Sequence, residues 1–130
     1  MKVAEQEKQQ KIRRTASGEM TVYDLRASEP IGRIIDMSAR GMKLHSPEPA
    51  MVRKVYYCRL PLKRAVKGCK EVFFDAECRW CRPNDEIKGF NSGYALRFPT
   101  QKDGEIVREL LRHWMAEQAD RLNAHYAGRK

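Results

Sequence analysis

Asp36, Ser38 and Gly41 lie within six residues of one another, in the run Gly32-Arg-Ile-Ile-Asp36-Met-Ser38-Ala-Arg40-Gly41. Together they offer a carboxylate acceptor, a hydroxyl and a point where backbone can approach a ligand closely. The run starts as an apolar strand at Ile34 and Ile35 and ends in a polar turn, so this chemistry sits at a strand-to-turn corner. Upstream lies a basic segment, Lys11-Ile12-Arg13-Arg14. Guanidinium groups bind phosphate in bidentate fashion and stack on planar bases. The combination suits recognition of an anionic, base-bearing ligand. Turn chemistry alone also accounts for Asp, Ser and Gly at a corner, and a pair of arginines is commonly a solvated tail.

Bond-breaking chemistry has no comparable support. The sequence contains no G-x-x-x-x-G-K-[ST] phosphate loop, no G-x-S-x-G elbow and no H-E-x-x-H motif. His45, His113 and His125 are scattered, and Asp36 has no nucleophile or second acid placed near it. No enzymatic activity, cofactor or metal is expected. Cys58, Cys69, Cys78 and Cys81 are read as reduced thiols, since no secretory context accompanies them. Cys78-x-x-Cys81 invites a zinc or redox reading, but residues three apart on a regular strand point to opposite faces.

The elements that must position these residues are mostly strands. Thr21-Val22-Tyr23, Ile31 to Asp36 and Met42-Lys43-Leu44 read as short strands, and alternation in 55–60 and 72–80 predicts longer ones with one buried face. Lys63 to Lys70 reads as a basic connection containing Gly68, and Pro83-Asn84-Asp85 as a turn. The period then changes. Thr100 to Asp103 resembles a capping box, and Ile106, Val107, Leu110, Leu111, Trp114 and Met115 recur at helical spacing, with Leu122 and Tyr126 extending the stripe. Trp114 is expected to anchor this helix on the core.

At 130 residues the chain is expected to form one domain, with 26 basic against 17 acidic residues for a net charge of +9. That balance favours anionic partners. No run approaches the roughly 20 apolar residues of a membrane span, and the N-terminus lacks the apolar stretch of a secretion signal, so a cytoplasmic protein is expected. Residues 1–12 are polar and predict a flexible arm; the domain is expected over 13–130, with its C-terminal helix at about 103–126.

In order and spacing these features resemble the PilZ domain family of bacteria. The resemblance rests on Arg13-Arg14 ahead of a strand, on Asp36-x-Ser38-x-x-Gly41 followed by Met42-Lys43-Leu44, and on the link Ser46-Pro47-Glu48-Pro49. It continues through the strand ending Cys78-Arg79-Trp80-Cys81 and the Gly93-x-x-x-x-Phe98 run before the helix. It implies a mainly β fold: a small six-stranded antiparallel barrel with a long C-terminal α-helix. It also implies cyclic di-GMP as ligand. Asp36 would then accept from the guanine N1 and N2 donors, Ser38 would add a hydroxyl contact and Gly41 would admit close backbone. Arg13 and Arg14 would clamp phosphate and stack on base, and Arg40 is included on charge. Ligand-binding members usually carry Arg-x-x-x-Arg; here Ser17 follows Arg13 at that spacing and Gly18 follows Arg14.

The function implied is a bacterial receptor that switches a partner interaction as its basic arm orders against the barrel. The alternative is an adaptor of the same fold that no longer binds the nucleotide and acts through protein contact. A third reading, a nucleic-acid binder using Tyr56-Tyr57 or Phe73-Phe74, ranks below both. The downstream protein is unknown; the distal part of the helix is its candidate contact, and the chain is expected to be a monomer or a homodimer.

Overall fold

The computed structural model describes residues 20–127, with side chains up to residue 117. Six strands, β1 (Thr21–Asp24), β2 (Pro30–Met37), β3 (Gly41–Ser46), β4 (Val55–Val66), β5 (Cys69–Pro83) and β6 (Phe90–Arg97), precede one helix, α1 (Gln101–Ala127). The strands close into an antiparallel barrel in the order β1-β2-β3-β6-β5-β4. Closure leaves no long free edge, which explains how strands as short as β1 are held. The six-stranded barrel with a long C-terminal helix is the architecture expected from the sequence.

The interior follows from alternation. Val22, Leu44, Cys58, Leu60, Val72, Phe74, Ala76 and Cys78 are buried at every second position of their strands. Ile106, Val107 and Leu110 of α1 complete this core and plug one end of the barrel. Trp114 packs on the same cluster. The helix is seated by its first turn. Thr100 Oγ1 accepts from the Asp103 N–H (3.1 Å) and donates to Asp103 Oδ2 (2.6 Å). Asp103 Oδ1 accepts the Phe73 N–H of β5 at 3.1 Å. The last β5–β6 pair is Asp75 with Arg97, so this carboxylate serves a strand N–H that β6 no longer reaches.

Two expectations change. The segment Lys63 to Lys70 is not a connection: β4 continues to Val66, β5 begins at Cys69, and only Lys67 and Gly68 turn, with φ of 51° and 79°. Val66 is buried at the end of the strand, while Lys63 and Arg64 before it are exposed. The second concerns Cys78 and Cys81. A bulge between Cys78 and Trp80 makes Cys78 pair with Tyr94 and Cys81 with Ser92, both inward positions, so the two thiols share the inner face. Both are free thiols, as are Cys58 and Cys69. Burial pushes the Cys58 thiol up to about 12 and raises that of Cys78. No helix among the described residues is long and apolar enough to cross a membrane.

Candidate functional site

Two β-bulges build the site. In β2 the pairing slips between Ile34 and Asp36: Ile34 lies opposite Leu44 and Asp36 opposite Lys43. Ile35 is the extra residue, and both isoleucines are buried. Strict alternation would put Asp36 on the same inner face as Ile34; the bulge turns its carboxylate outward. In β5 the bulge at Arg79 does the same for Trp80, which lies opposite Gly93. Lys43 is itself opposite Gly93. The result is one straight row across four strands, Asp36, Lys43, Gly93 and Trp80, on the outer face of the barrel.

The row is closed at one end by the turn Ser38 to Gly41. The Ser38 N–H donates to the Gly41 carbonyl (2.8 Å), and Ser38 Oγ accepts from the N–H groups of Arg40 (3.3 Å) and Gly41 (3.2 Å). Asp36 Oδ1 accepts from the Met37 N–H at 2.8 Å. The Arg40 carbonyl accepts from the Leu96 N–H (2.8 Å), which ties the turn to β6. A Cβ at Gly41 would stand 2.9 Å from the Tyr94 carbonyl, so only glycine lets β3 begin this close to β6. A Cβ at Gly93 would overlap the Trp80 indole, which lies against that glycine. The Arg82 guanidinium sits 5.2 Å from the Trp80 ring.

Turn, row and bulges enclose an open cleft of about 460 Å³. Its charged lining is Arg40, Lys43 and Arg79 against the single carboxylate Asp36. The cleft therefore presents an aromatic plate, three cations and one acceptor, a set that fits a planar base with phosphate attached.

Of the residues singled out in the sequence, Asp36, Ser38, Arg40 and Gly41 come together here. The Ser38 hydroxyl is engaged within the turn, where it accepts from the Arg40 and Gly41 N–H groups. Arg13 and Arg14 lie outside the described residues, as does the arm 1–12. Lys43, Arg79 and Trp80 were missed as site residues. Trp80 was noted only as a strand marker, and its register opposite Gly93 depends on a bulge that no local pattern announces.

The fold and the cleft together define the class: a closed six-stranded barrel, plugged by a helix, with a cationic cleft on its outer face. A sequence profile of the PilZ domain matches residues 7–117, and the chain belongs to the PilZ domain family, whose members are regulatory binding domains. Among solved structures, the barrel is similar to the inhibitor of motility of Bacillus subtilis (MotI/DgrA), at 11% identity and a TM-score of 0.57. The likeness covers 80% of this chain and 48% of that one, so the chain spans about half of that protein's length. At this identity it shows the fold alone. No sequence among the curated proteins matches the chain.

Proposed function

We propose that this PilZ domain is a receptor for cyclic di-GMP and that binding orders its basic arm against the cleft. The observation that carries the reading is the row Asp36, Lys43, Gly93, Trp80 beside the Ser38–Gly41 turn. The Trp80 indole offers a stacking face for one guanine, and Asp36 an acceptor for its N1 and N2 donors. Lys43, Arg79 and Arg40 supply charge for the two phosphodiesters. The entry point of the chain supports the role of the arm. The Met20 carbonyl accepts from the Ile34 N–H at 2.8 Å, two residues before Asp36. Arg14 is six residues further back, a span of up to about 20 Å when extended. Arg13 and Arg14 can therefore reach over the cleft from the same end of the barrel. A ligand bridging arm and barrel changes the surface offered to a partner.

Calorimetric titration of the full chain with cyclic di-GMP, with GTP as control, tests this. Saturable binding selective for the dinucleotide is expected, lost in Asp36→Ala and in a chain starting at residue 20. The adaptor reading is favoured by one feature, the adjacent arginines in place of Arg-x-x-x-Arg. Absence of any heat at high ligand concentration would select it.

A further inference from the structure

The turn at 84–89, between β5 and β6, is fastened to β3 by a chain of side-chain amides that ends on a histidine. Asn84 Oδ1 accepts from the N–H groups of Glu86 (2.8 Å) and Ile87 (2.9 Å), so its oxygen is fixed towards the backbone of the turn. Its Nδ2 must then face the other way, and it donates to Asn91 Oδ1 at 3.1 Å. That contact settles the orientation of Asn91. Its amide oxygen, not its nitrogen, faces the His45 Nδ1, 3.2 Å away. The other ring nitrogen, Nε2, lies 3.1 Å from the Lys88 carbonyl, which can only accept.

Both ring nitrogens therefore face acceptors. A neutral imidazole has one N–H and one lone pair, so either tautomer would set a lone pair against an oxygen. Only the imidazolium donates to both. The ring is also closely held. A Cβ at Gly89 would stand 3.0 Å from His45 Cε1 and 3.1 Å from Nε2, so the backbone of the turn lies against the ring edge. Gly89 takes a φ of 122° there, which favours glycine. Charges of both signs stand nearby. Arg33 lies opposite His45 on β2, Lys43 two residues along β3, and Arg82 opposite Asn91 on β5, while Asp85, Glu86 and Lys88 belong to the turn. The strand cations oppose a further proton on the ring; the two fixed acceptors favour it.

We propose that His45 works as a proton-operated clasp: with both ring nitrogens protonated it ties the turn at 84–89 to β3, and loss of the Nδ1 proton releases the Asn91 side of that tie. The sign follows from the acceptors. The imidazolium makes both bonds, whereas the neutral ring makes one and sets the Nδ1 lone pair against Asn91 Oδ1. The turn therefore loosens as the pH rises and tightens as it falls. Histidine suits the task because its charge ordinarily changes between about pH 5 and 8. The clasp also has a neighbour in the cleft. Asn91 is opposite Arg82, whose guanidinium stands over the Trp80 ring, so the held turn braces the strand ends beside the indole. The inference stands apart from the nucleotide reading, since His45, Asn84 and Asn91 do not line the cleft.

The experiment is an NMR series on the ¹⁵N-labelled full chain from about pH 5 to 8. It follows the His45 ring nitrogens together with hydrogen-exchange protection of the residue-84 amide, which donates to the Gly89 carbonyl at 3.0 Å and so reports closure of the turn. Protection of that amide should fall by about fivefold as Nδ1 loses its proton, the equivalent of one hydrogen bond. His45→Gln keeps a donor and an acceptor but gains no proton, so protection there should not vary with pH. Asn84→Ala is the more specific variant. It frees the Asn91 amide to rotate and offer its nitrogen to Nδ1, so the neutral ring is satisfied and the pH dependence should again vanish. Constant protection in the unaltered chain while Nδ1 loses its proton overturns the proposal. An undiminished pH dependence in either variant overturns it equally.

Discussion

Trp80 and Gly93 act as one unit, and the pair gives the sharpest test of the cleft. Replacing Trp80 with alanine removes the stacking face, and base–aromatic stacking contributes about 1–3 kcal/mol. Cyclic di-GMP affinity should therefore fall by roughly tenfold to a hundredfold in the calorimeter, with the circular dichroism of the barrel unchanged. Gly93→Ala leaves the indole present but pushes it off its seat, because the new Cβ overlaps the ring. A comparable loss of affinity together with a changed tryptophan emission spectrum is expected. Full affinity in both variants would mean that the ligand does not lie on the indole. Neither residue's role was legible locally. Gly93 was recognised as part of a run ending in Phe98, yet what it requires is set by a neighbour thirteen positions away in the chain.

At the scale of elements, the bulges and the helix cap carry the design. Alternation located β4 and β5, and the apolar run at Ile34 and Ile35 marked β2, since a half-buried strand shows its pattern in its own residues. It could not show the slips at Ile35 and Arg79, because a bulge is a property of pairing between strands. The capping box at Thr100 was legible, but its second task was not: Asp103 also closes the open N–H of Phe73. Asp103→Ala keeps the Thr100 cap on the residue-103 N–H but removes the carboxylate that accepts from the Thr100 hydroxyl and leaves the part-buried Phe73 N–H unpaired, a cost of about 1–3 kcal/mol. Thermal unfolding should show a midpoint lower by about 5–10 °C. A change within one degree would mean that the cap does not hold α1 to the barrel.

For the whole molecule, the buried acids set an alkaline limit on stability. Cys58 is raised from 9.0 to about 12, first by burial and then by the nearby charges of Asp24 and Asp75. Burial likewise raises Cys78 and Tyr94. A folded value above the unfolded one means that the group's contribution is complete below pH 9 and is lost as pH rises towards 12. Each such group steepens the fall by up to about 1.4 kcal/mol per pH unit within its window. The urea midpoint should hold between pH 7 and 8.5 and drop between pH 9 and 11. In Cys58→Ala the midpoint is lower at pH 7, because a cavity opens, and the alkaline drop is shallower. An identical alkaline drop would assign it to other groups.

Read by itself, the sequence determined the family, the closed mainly β architecture, the long terminal helix and the corner Asp36-x-Ser38-x-x-Gly41. All of these rest on local signals: alternation, helical period, turn residues and motif spacing. Only the tertiary structure decided which face each functional side chain takes. The outward turn of Asp36, the alignment of Lys43, Gly93 and Trp80, and the return of Cys81 to the inner face beside Cys78 all follow from register between strands distant in sequence.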